Sequence, residues 1–148
     1  MEPDLSFRLM PAPVESDPRS QLVEADGTLI AEVRGRVLEA VFRLAKGILV
    51  LSSDGNPYEE ELHVYLFSTD KCAIDNVSLG QTYSSGIVKD LRVSGENCLE
   101  FSFFGSETWR LTVLAQSEIR FKPDLFSSVK YPDGWLREHF LRLERIRD

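Results

Sequence analysis

Residues that bind metal ions or act as nucleophiles are scarce in this sequence. Its 148 residues include two cysteines, Cys72 and Cys98, and two histidines, His63 and His139. None of these four stands in a CxxC, HxH or HExxH pattern, whereas zinc ligands usually show such close spacing. We therefore expect no metal ion and no other cofactor. We interpret both cysteines as buried free thiols of a reducing compartment.

The sequence also lacks a segment suited to a membrane or to secretion. Its longest uninterrupted apolar run, GILVL at residues 47–51, is far shorter than the ~20 residues that a membrane helix needs. The first residues include Glu2 and Asp4 and no basic stretch followed by an apolar one, unlike a signal peptide. We therefore expect a cytoplasmic protein that has no contact with a membrane.

Basic residues are outnumbered by acidic ones. The chain has 24 acidic and 17 basic residues, which gives a formal charge of −7. Binding to nucleic acid needs clustered lysine and arginine to neutralise phosphates, so we expect no nucleic-acid partner. The acidity suits solubility and, as a weaker inference, a partner protein that has a basic surface.

Sequence motifs of enzymes are absent as well. The chain contains no GxSxG, GxGxxG or GxxxxGK[ST] motif, and these mark nucleophile elbows, dinucleotide sites and P-loops. We interpret the protein as a non-enzymatic protein-binding or regulatory module whose partner is another protein or a second copy of itself. The alternatives are a β-barrel that binds an apolar small molecule and an enzyme without a local signature.

Short segments of strand-like pattern make up most of the chain. Residues 28–35 alternate between apolar and polar, and residues 61–67 (ELHVYLF) are apolar on both faces, as a central strand is. Residues 72–80 and 87–93 follow, with turn residues between them. This spacing predicts a mainly β fold: a single antiparallel β-meander, sandwich or barrel of about seven or eight strands.

The segment at residues 36–46 is compatible with either a helix or a strand. Its charged residues recur at helical spacing, whereas Val41 and Phe42 favour a strand. A three-residue loop at residues 45–47 would make a hairpin in which Phe42 lies opposite Val50. We favour the hairpin, and the helix stays open as the alternative.

The stretch NCLEFSFFGSETWRLTVLAQ predicts an aromatic hairpin. A two-residue loop would pair apolar with polar residues on both faces, whereas a loop of odd length pairs Phe103 with Trp109 and keeps one face apolar. We therefore predict an odd loop and a buried core. Phe104 points to the opposite side and is the one ring left as a weak candidate for binding a ligand.

The two ends of the chain differ from the middle. Four of the seven prolines fall within residues 1–25, which predicts an extended, proline-rich arm followed by a single β-rich domain at residues 26–148. Because Leu5, Phe7 and Leu9 alternate with other residues, the first part of this arm could pair as an edge strand, and otherwise it is a flexible tail. At the other end, Asp133 is a plausible N-cap for a C-terminal α-helix at residues 133–147. Three apolar residues there recur at helical spacing: Leu136, Phe140 and Leu143.

The polar stretch DGNPYEEE provides weak candidates for a cation site. Asp54, Asn56 and Glu59 offer oxygen ligands of the kind that Ca²⁺ takes, but their spacing does not fit an EF-hand. We interpret this stretch as a turn. His63 is a second weak candidate, for ligand binding beside Phe104, although a lone histidine in a strand is more often a hydrogen-bonded structural residue.

Overall fold

A computed structural model describes residues 1–14, 16–55, 60–80, 86–105, 107–119, 128–134 and 136–146. Within these ranges the chain forms thirteen β-strands and no α-helix, so none of the described segments is a helix that could span a membrane. The strands are β1 (Glu2–Pro3), β2 (Phe7–Pro11), β3 (Arg19–Glu24), β4 (Leu29–Arg34), β5 (Val37–Leu44), β6 (Gly47–Ser53), β7 (Glu61–Ser68), β8 (Ala73–Gly80), β9 (Lys89–Gly95), β10 (Cys98–Ser102), β11 (Thr108–Ile119), β12 (Val129–Lys130) and β13 (Glu138–Ile146).

These strands form three antiparallel sheets, which confirms a mainly β antiparallel fold. The central sheet has six strands in the order β1-β5-β6-β7-β8-β12. A four-stranded sheet follows the order β13-β11-β10-β9, and a three-stranded sheet follows the order β2-β3-β4. In the described part of the chain all three sheets are open, so the fold is a stack of sheets rather than a barrel.

The four-stranded sheet covers one face of the central sheet. Leu49 of β6 and Val64 of β7 belong to the same buried cluster as Phe101 of β10 and Leu111 of β11. All four side chains have no exposed surface. This larger core therefore lies between the two sheets.

The three-stranded sheet covers the opposite face of the central sheet. Val50 of β6 and Phe67 of β7 pack with Leu22 of β3 and Val33 of β4 in a second buried cluster. Neighbouring residues of a strand point to opposite faces, so β6 supplies both cores and all of its residues are buried. The central sheet is thus the middle of three layers. Because β7 is apolar on both faces, it was predicted to be a central strand, and it lies inside this sheet.

The first part of the N-terminal segment, residues 1–25, forms edge strands, as its alternating apolar residues allow, rather than a flexible tail. The whole segment contains β1, β2 and β3, and β3 pairs with β2 on one side and β4 on the other. Phe7 and Leu22 are buried in the smaller core. Pro3 and Pro11 lie in edge strands of their sheets, where a missing N–H donor breaks no bond of the ladder. The prolines are therefore compatible with a packed sheet.

The predicted C-terminal helix at residues 133–147 is wrong. Residues 138–146 form β13, which pairs with β11, while residues 135 and 147 lie outside the described ranges. His139, Leu141 and Leu143 are buried at a spacing of two, as in a strand with one face on the core. The apolar residues of this segment fit both a helical and a strand period, and pairing with β11 decides between them.

The segment at residues 36–46 is a strand, as favoured, but its turn is shorter than predicted. Two residues join β5 to β6, so Phe42 pairs with Leu49 and not with the residue after it. Gly47 follows the turn at a φ of 144°, and a Cβ there would lie 1.9 Å from the carbonyl oxygen of Phe67. This glycine is therefore required by the close approach of β7.

The aromatic hairpin has a loop of odd length, as predicted, but a different register. Five residues separate β10 from β11, and Phe101 rather than Phe103 pairs with Trp109. The apolar faces are the predicted ones, because a shift of two residues leaves the side-chain direction unchanged. Phe103 remains fully buried, and Gly86 packs on it so closely that a Cβ there would lie 2.3 Å from its ring.

A buried carboxylate joins the central sheet to the four-stranded sheet. Asp75 in β8 accepts, through Oδ2, the backbone N–H groups of Phe140 at 2.9 Å and Leu141 at 3.0 Å in β13. Its Oδ1 accepts the N–H of Asn76 at 2.8 Å and lies 3.0 Å from Nδ1 of His139. Asp75 and His139 are both buried, and a buried carboxylate needs such partners. This group therefore fixes β13 beside β8.

The cysteines are free, but they are not buried as expected. Cys72 is exposed in the turn before β8, and Cys98 is half-buried at the start of β10. Sγ of Cys98 lies 3.6 Å from Oγ1 of Thr112 on the neighbouring strand. The burial of these thiols could not be judged from the sequence, because both lie at the boundary between a turn and a strand.

Candidate functional site

An open groove of about 370 Å³ lies where the loop after β2 meets β3 and β4. We call it the N-terminal groove. One wall is apolar and comes from the end of β2 and the loop, whereas the other is polar and comes from the start of β3 and from β4. The apolar wall is formed by Met10, Pro11, Ala12 and Pro13, and the polar wall includes Asp17, Arg19 and Glu32.

A single guanidinium group holds the loop that forms the apolar wall. Arg36 donates from Nη1 to the carbonyl oxygen of Asp17 at 2.8 Å and from Nη2 to that of Ala12 at 3.2 Å. The N–H of Gly35 donates to the carbonyl oxygen of Pro18 at 2.7 Å, which ties the same loop to the end of β4. Because several carbonyl groups converge on one rigid donor, the shape of the groove is fixed by the chain itself.

The polar wall carries an exposed network of charges. Arg19 Nε lies 3.0 Å from Oδ1 of Asp17, and its Nη1 lies 3.4 Å from Oε1 of Glu32. The hydrogen bond from the Arg19 guanidinium is the main cause that lowers the pKa of Asp17 to about 2, and the Arg19 backbone N–H adds to it. Arg36, which binds the same loop, also acts on Asp17, so Glu32, with 59% of its side chain exposed, is the more accessible carboxylate of this wall.

Replacing Arg19 by glutamine is expected to raise the pKa of Asp17 from about 2 toward its ordinary value of 3.8. Because the folded-state pKa is lowered, the contact stabilises the fold above pH 3.8, and this contribution is lost as the pH falls toward about 2. NMR titration of carboxyl carbons measures the change. Asp26 is the matched control, because hydrogen bonds from Thr28 lower its pKa. An unchanged midpoint for Asp17 would contradict the assigned cause.

A second group of functional side chains is a histidine–carboxylate cluster formed by Asp54, Glu61 and His63. The ligand atoms of these three residues all lie within 4.8 Å of one another. Asp54 directly follows β6, and Glu61 and His63 share one face of β7 because they are two residues apart. Nε2 of His63 lies 2.8 Å from Oδ1 of Asp54, and His63 is only 1% exposed.

Two local features hold the carboxylates of this cluster in place. Oε1 of Glu60 accepts the backbone N–H of Asp54 at 2.7 Å and that of Gly55 at 3.0 Å, which closes the turn. Glu61 lies across Gly80 of β8, where a Cβ would stand 2.8 Å from its Cγ. Burial raises the pKa of Glu60, the charge of Asp54 adds to the rise, and the two backbone hydrogen bonds oppose it.

Ser78 extends the cluster into a chain of three polar side chains. Its Oγ lies 3.2 Å from Nδ1 of His63, whose Nε2 faces Asp54. The residue types are those of a catalytic triad, but a triad serine contacts Nε2 and must reach the substrate. Ser78 contacts Nδ1 and is 2% exposed. This serine therefore orients the imidazole and is not arranged to attack a substrate.

Of the remaining residues that the sequence suggests, two lie outside the described ranges and Phe104 lies away from both sites. Asn56 and Glu59 lie outside the described residues, so a cation site that joins them to Asp54 stays a prediction. Phe104 occupies the turn of the aromatic hairpin with a φ of 53°. It is half-buried, and its ring packs edge-on against Phe103 at a centroid distance of 4.5 Å. Its surface is therefore largely occupied by the core.

Comparison with protein-family models, with curated proteins and with solved structures finds no match for this chain. A function therefore has to follow from the chemistry of the groove and of the cluster. Two of the residues described above were not predicted from the sequence. Glu61 could have been found, since it shares a strand face with His63, whereas nothing near Arg36 in the sequence indicates that it binds the loop before β3.

Proposed function

We propose that this protein is a non-enzymatic protein-binding module that holds an extended segment of a partner protein in the N-terminal groove. The observation that carries the proposal is the groove itself, which combines an exposed apolar wall with a polar wall that contains the exposed carboxylate of Glu32. The bound segment would place an apolar side chain against the first wall and a lysine or arginine against the second. The free thiols of Cys72 and Cys98 favour the cytoplasm as the place of binding.

The apolar wall supports a large side chain of the partner. Met10 is 48% exposed and Val14, farther along the loop, is 62% exposed. A methionine adapts its shape to different apolar groups, which suits it to a binding surface. The volume of about 370 Å³ lies within the range of ~300–1,000 Å³ typical of ligand-binding pockets. One or two side chains of a peptide would fill this space.

Contacts within the chain hold the loop in its shape. Arg36 donates hydrogen bonds to the carbonyl groups of Ala12 and Asp17, and Pro11 and Pro13 restrict the backbone further. Less conformational entropy is then lost on binding, so a small contact area can give a useful affinity. This favours recognition of a short, extended segment.

The charges of the polar wall favour a basic residue in that segment. Arg19 lies 3.0 Å from Asp17 but 3.4 Å from Glu32, whose side chain is 59% exposed, so the Glu32 carboxylate is accessible to a basic residue of the partner. The formal charge of −7 on the whole chain acts in the same direction over a longer range. Such charges select partners and speed their approach more than they add to affinity.

A displayed library of random linear peptides, selected against the full chain, tests the proposal. We expect the selected peptides to share an apolar residue close to lysine or arginine. Replacing Met10 by aspartate should weaken their binding at least about tenfold, because a carboxylate in the apolar wall would lose water without gaining a partner. Fluorescence anisotropy with labelled peptides measures this ratio.

The matched control is Val93→Asp in β9. Val93 is 43% exposed, close to the value for Met10, but it belongs to the four-stranded sheet. This variant should bind the selected peptides as the unchanged chain does. Peptides that bind the Met10→Asp variant with full affinity, or a selection that enriches no common pattern, would overturn the proposed function.

A further inference from the structure

We propose that the histidine–carboxylate cluster of Asp54, Glu61 and His63 binds one divalent transition-metal ion, with Zn²⁺ as the ion that fits best. The site is on the end of the central sheet formed by β6, β7 and β8, and it does not depend on the N-terminal groove. The proposal rests on the donor atoms, on their spacing, on the contacts that orient them and on the charge that surrounds them.

The donor set selects a class of metal ion. Two carboxylates and one imidazole nitrogen differ from a Ca²⁺ site, in which all ligands are oxygen atoms. Imidazole favours zinc, copper, iron and nickel, and carboxylates bind zinc at a similar distance. Zinc sites with three protein ligands are common and keep the fourth position for water. The cluster therefore fits Zn²⁺ better than the Ca²⁺ that the polar stretch alone suggests.

The spacing of the donor atoms lies close to that of a metal site. Two ligands that bind one Zn²⁺ ion at ~2.1 Å can be at most ~4.2 Å apart, and the three donor atoms lie within 4.8 Å of one another. Asp54 and Glu61 are half-buried, so shifts of less than ~1 Å in their carboxylates would complete the geometry. The metal ion would replace the contact between His63 Nε2 and Asp54 Oδ1, which lie 2.8 Å apart and would separate to about 3.4 Å in a tetrahedral site.

The imidazole of His63 is oriented as a metal ligand needs to be. A histidine that binds a metal through one nitrogen usually donates a hydrogen bond from the other, which fixes its tautomer. Without a metal ion, Nε2 of His63 donates to Asp54 Oδ1 at 2.8 Å, and Nδ1 lies 3.2 Å from Oγ of Ser78. On binding, the metal ion would displace the Nε2 proton to solvent, and a proton on Nδ1 would donate to Ser78. His63 is 1% exposed and Ser78 is 2% exposed, so this orientation is held by packing.

The charges around the cluster favour a cation. Three carboxylates lie close together here: those of Asp54, Glu60 and Glu61. Glu60 is held beside Asp54 because its Oε1 accepts the backbone N–H groups of Asp54 and Gly55. Within the described ranges no lysine or arginine forms an ion pair with any of them, and Asp54 makes its side-chain contact with the His63 imidazole. A divalent ion would offset this negative charge more fully than the imidazole does.

Isothermal titration calorimetry, in which ZnCl₂ is added to the full chain, tests the inference. The protein is first treated with a chelator and carries Cys72→Ser, which removes the exposed thiol as a competing ligand. We expect one ion to bind per chain. Glu61→Gln and Asp54→Asn should each weaken binding at least about tenfold, since each removes one charged ligand. Glu96→Gln, which changes an exposed carboxylate in the turn before β10, should leave the affinity unchanged.

A second measurement uses the Cys72→Ser chain with all carboxylates intact, so its result does not depend on whether the carboxylate variants fold. The two histidines give separate signals in long-range ¹H–¹⁵N NMR spectra, and Zn²⁺ should shift Nε2 of His63 while His139 stays unchanged. His139 is the natural control, because it is buried beside Asp75. The inference would be overturned if both carboxylate variants bound Zn²⁺ as tightly as the Cys72→Ser chain does. It would also be overturned if the His63 signal did not shift, or if no Zn²⁺ bound up to ~1 mM.

Discussion

Replacing Asp75 by alanine is expected to lower the free energy of unfolding by about 3–5 kcal/mol, because two backbone N–H groups and one imidazole lose their partner at once. Denaturation by urea, with the slope of the transition compared between the two proteins, measures the loss. This is one of the two largest effects that we expect from a single substitution. The groove and the cluster contain no atom of Asp75, so the effect should appear in stability.

The reason lies in the number of donors that converge on one carboxylate. Without it, the partly buried N–H of Phe140 and the buried N–H of Leu141 would lose their acceptor, and each buried donor left unpaired costs ~1–3 kcal/mol. The imidazole of His139, which lies 3.0 Å from Oδ1, would lose its contact as well. The edge between β8 and β13 would then be free to separate.

Asp70→Asn is the matched control for Asp75, because Asp70 is an exposed aspartate in the turn before β8. Exposed substitutions away from such networks usually change stability by less than ~0.5 kcal/mol. A loss of less than ~1 kcal/mol for Asp75→Ala would show that β13 is held by its pairing with β11 alone. The proposed role of the carboxylate would then be wrong.

Replacing Trp109 by alanine is expected to cost about 3–5 kcal/mol, as other truncations of large buried aromatic residues do. Trp109 is 6% exposed and pairs with Phe101 in the larger core between the central and four-stranded sheets. The cavity left by an indole ring could not close without moving strands that pair on both sides of β11. Urea denaturation again measures the change, with a loss below ~1 kcal/mol as the contradicting result.

The variant Trp109→Phe separates the packing of the ring from its polar atom. Nε1 of Trp109 is buried, and no acceptor among the described residues lies within hydrogen-bond distance of it. Phenylalanine keeps much of the buried surface and removes this unpaired donor, so we expect a loss of only ~1–2 kcal/mol. A loss as large as that of the alanine variant would mean that Nε1 makes a bond that stabilises the fold.

The strands that could be predicted from the sequence are those whose apolar residues fit the two-residue period of a strand and not the period of a helix. Residues 61–67 are apolar on both faces, and they form β7 in the middle layer between two cores. The apolar faces of the aromatic hairpin were also predicted, because Phe103 and Trp109 must lie on one side of the sheet in any odd register. The exact register depends on the five-residue loop, which a local pattern does not determine.

The C-terminal segment shows why the remaining elements could not be predicted. Its apolar residues recur at both helical and strand spacing, and the choice is made by β11 and by Asp75, which are distant in sequence. The same holds at the other end, where the prolines of residues 1–25 suggest an arm. Because β2 is an edge strand that pairs with β3, a proline in it removes no hydrogen bond of the sheet. The position of β2 at the edge depends on the whole sheet and cannot be read from the segment alone.

The candidate sites divide in the same way. Asp54 and His63 were weak candidates from composition, and Glu61 joins them through the two-residue period of β7. The groove could not be foreseen, because it depends on Arg36 reaching a loop that lies about twenty residues earlier. Local patterns therefore reveal residues that share one strand, whereas a site built across loops needs the folded chain.

The most direct test of the proposed function is NMR mapping of a selected peptide on the full chain, with Arg36→Gln as the variant. We predict that the amide signals that shift most belong to the apolar wall and to the first residues of β3. Arg36→Gln should weaken binding of the peptide at least about tenfold, because the loop loses the hydrogen bonds that fix its shape. Shifts centred on the four-stranded sheet, or equal binding by the variant, would contradict the proposal that this groove holds a partner.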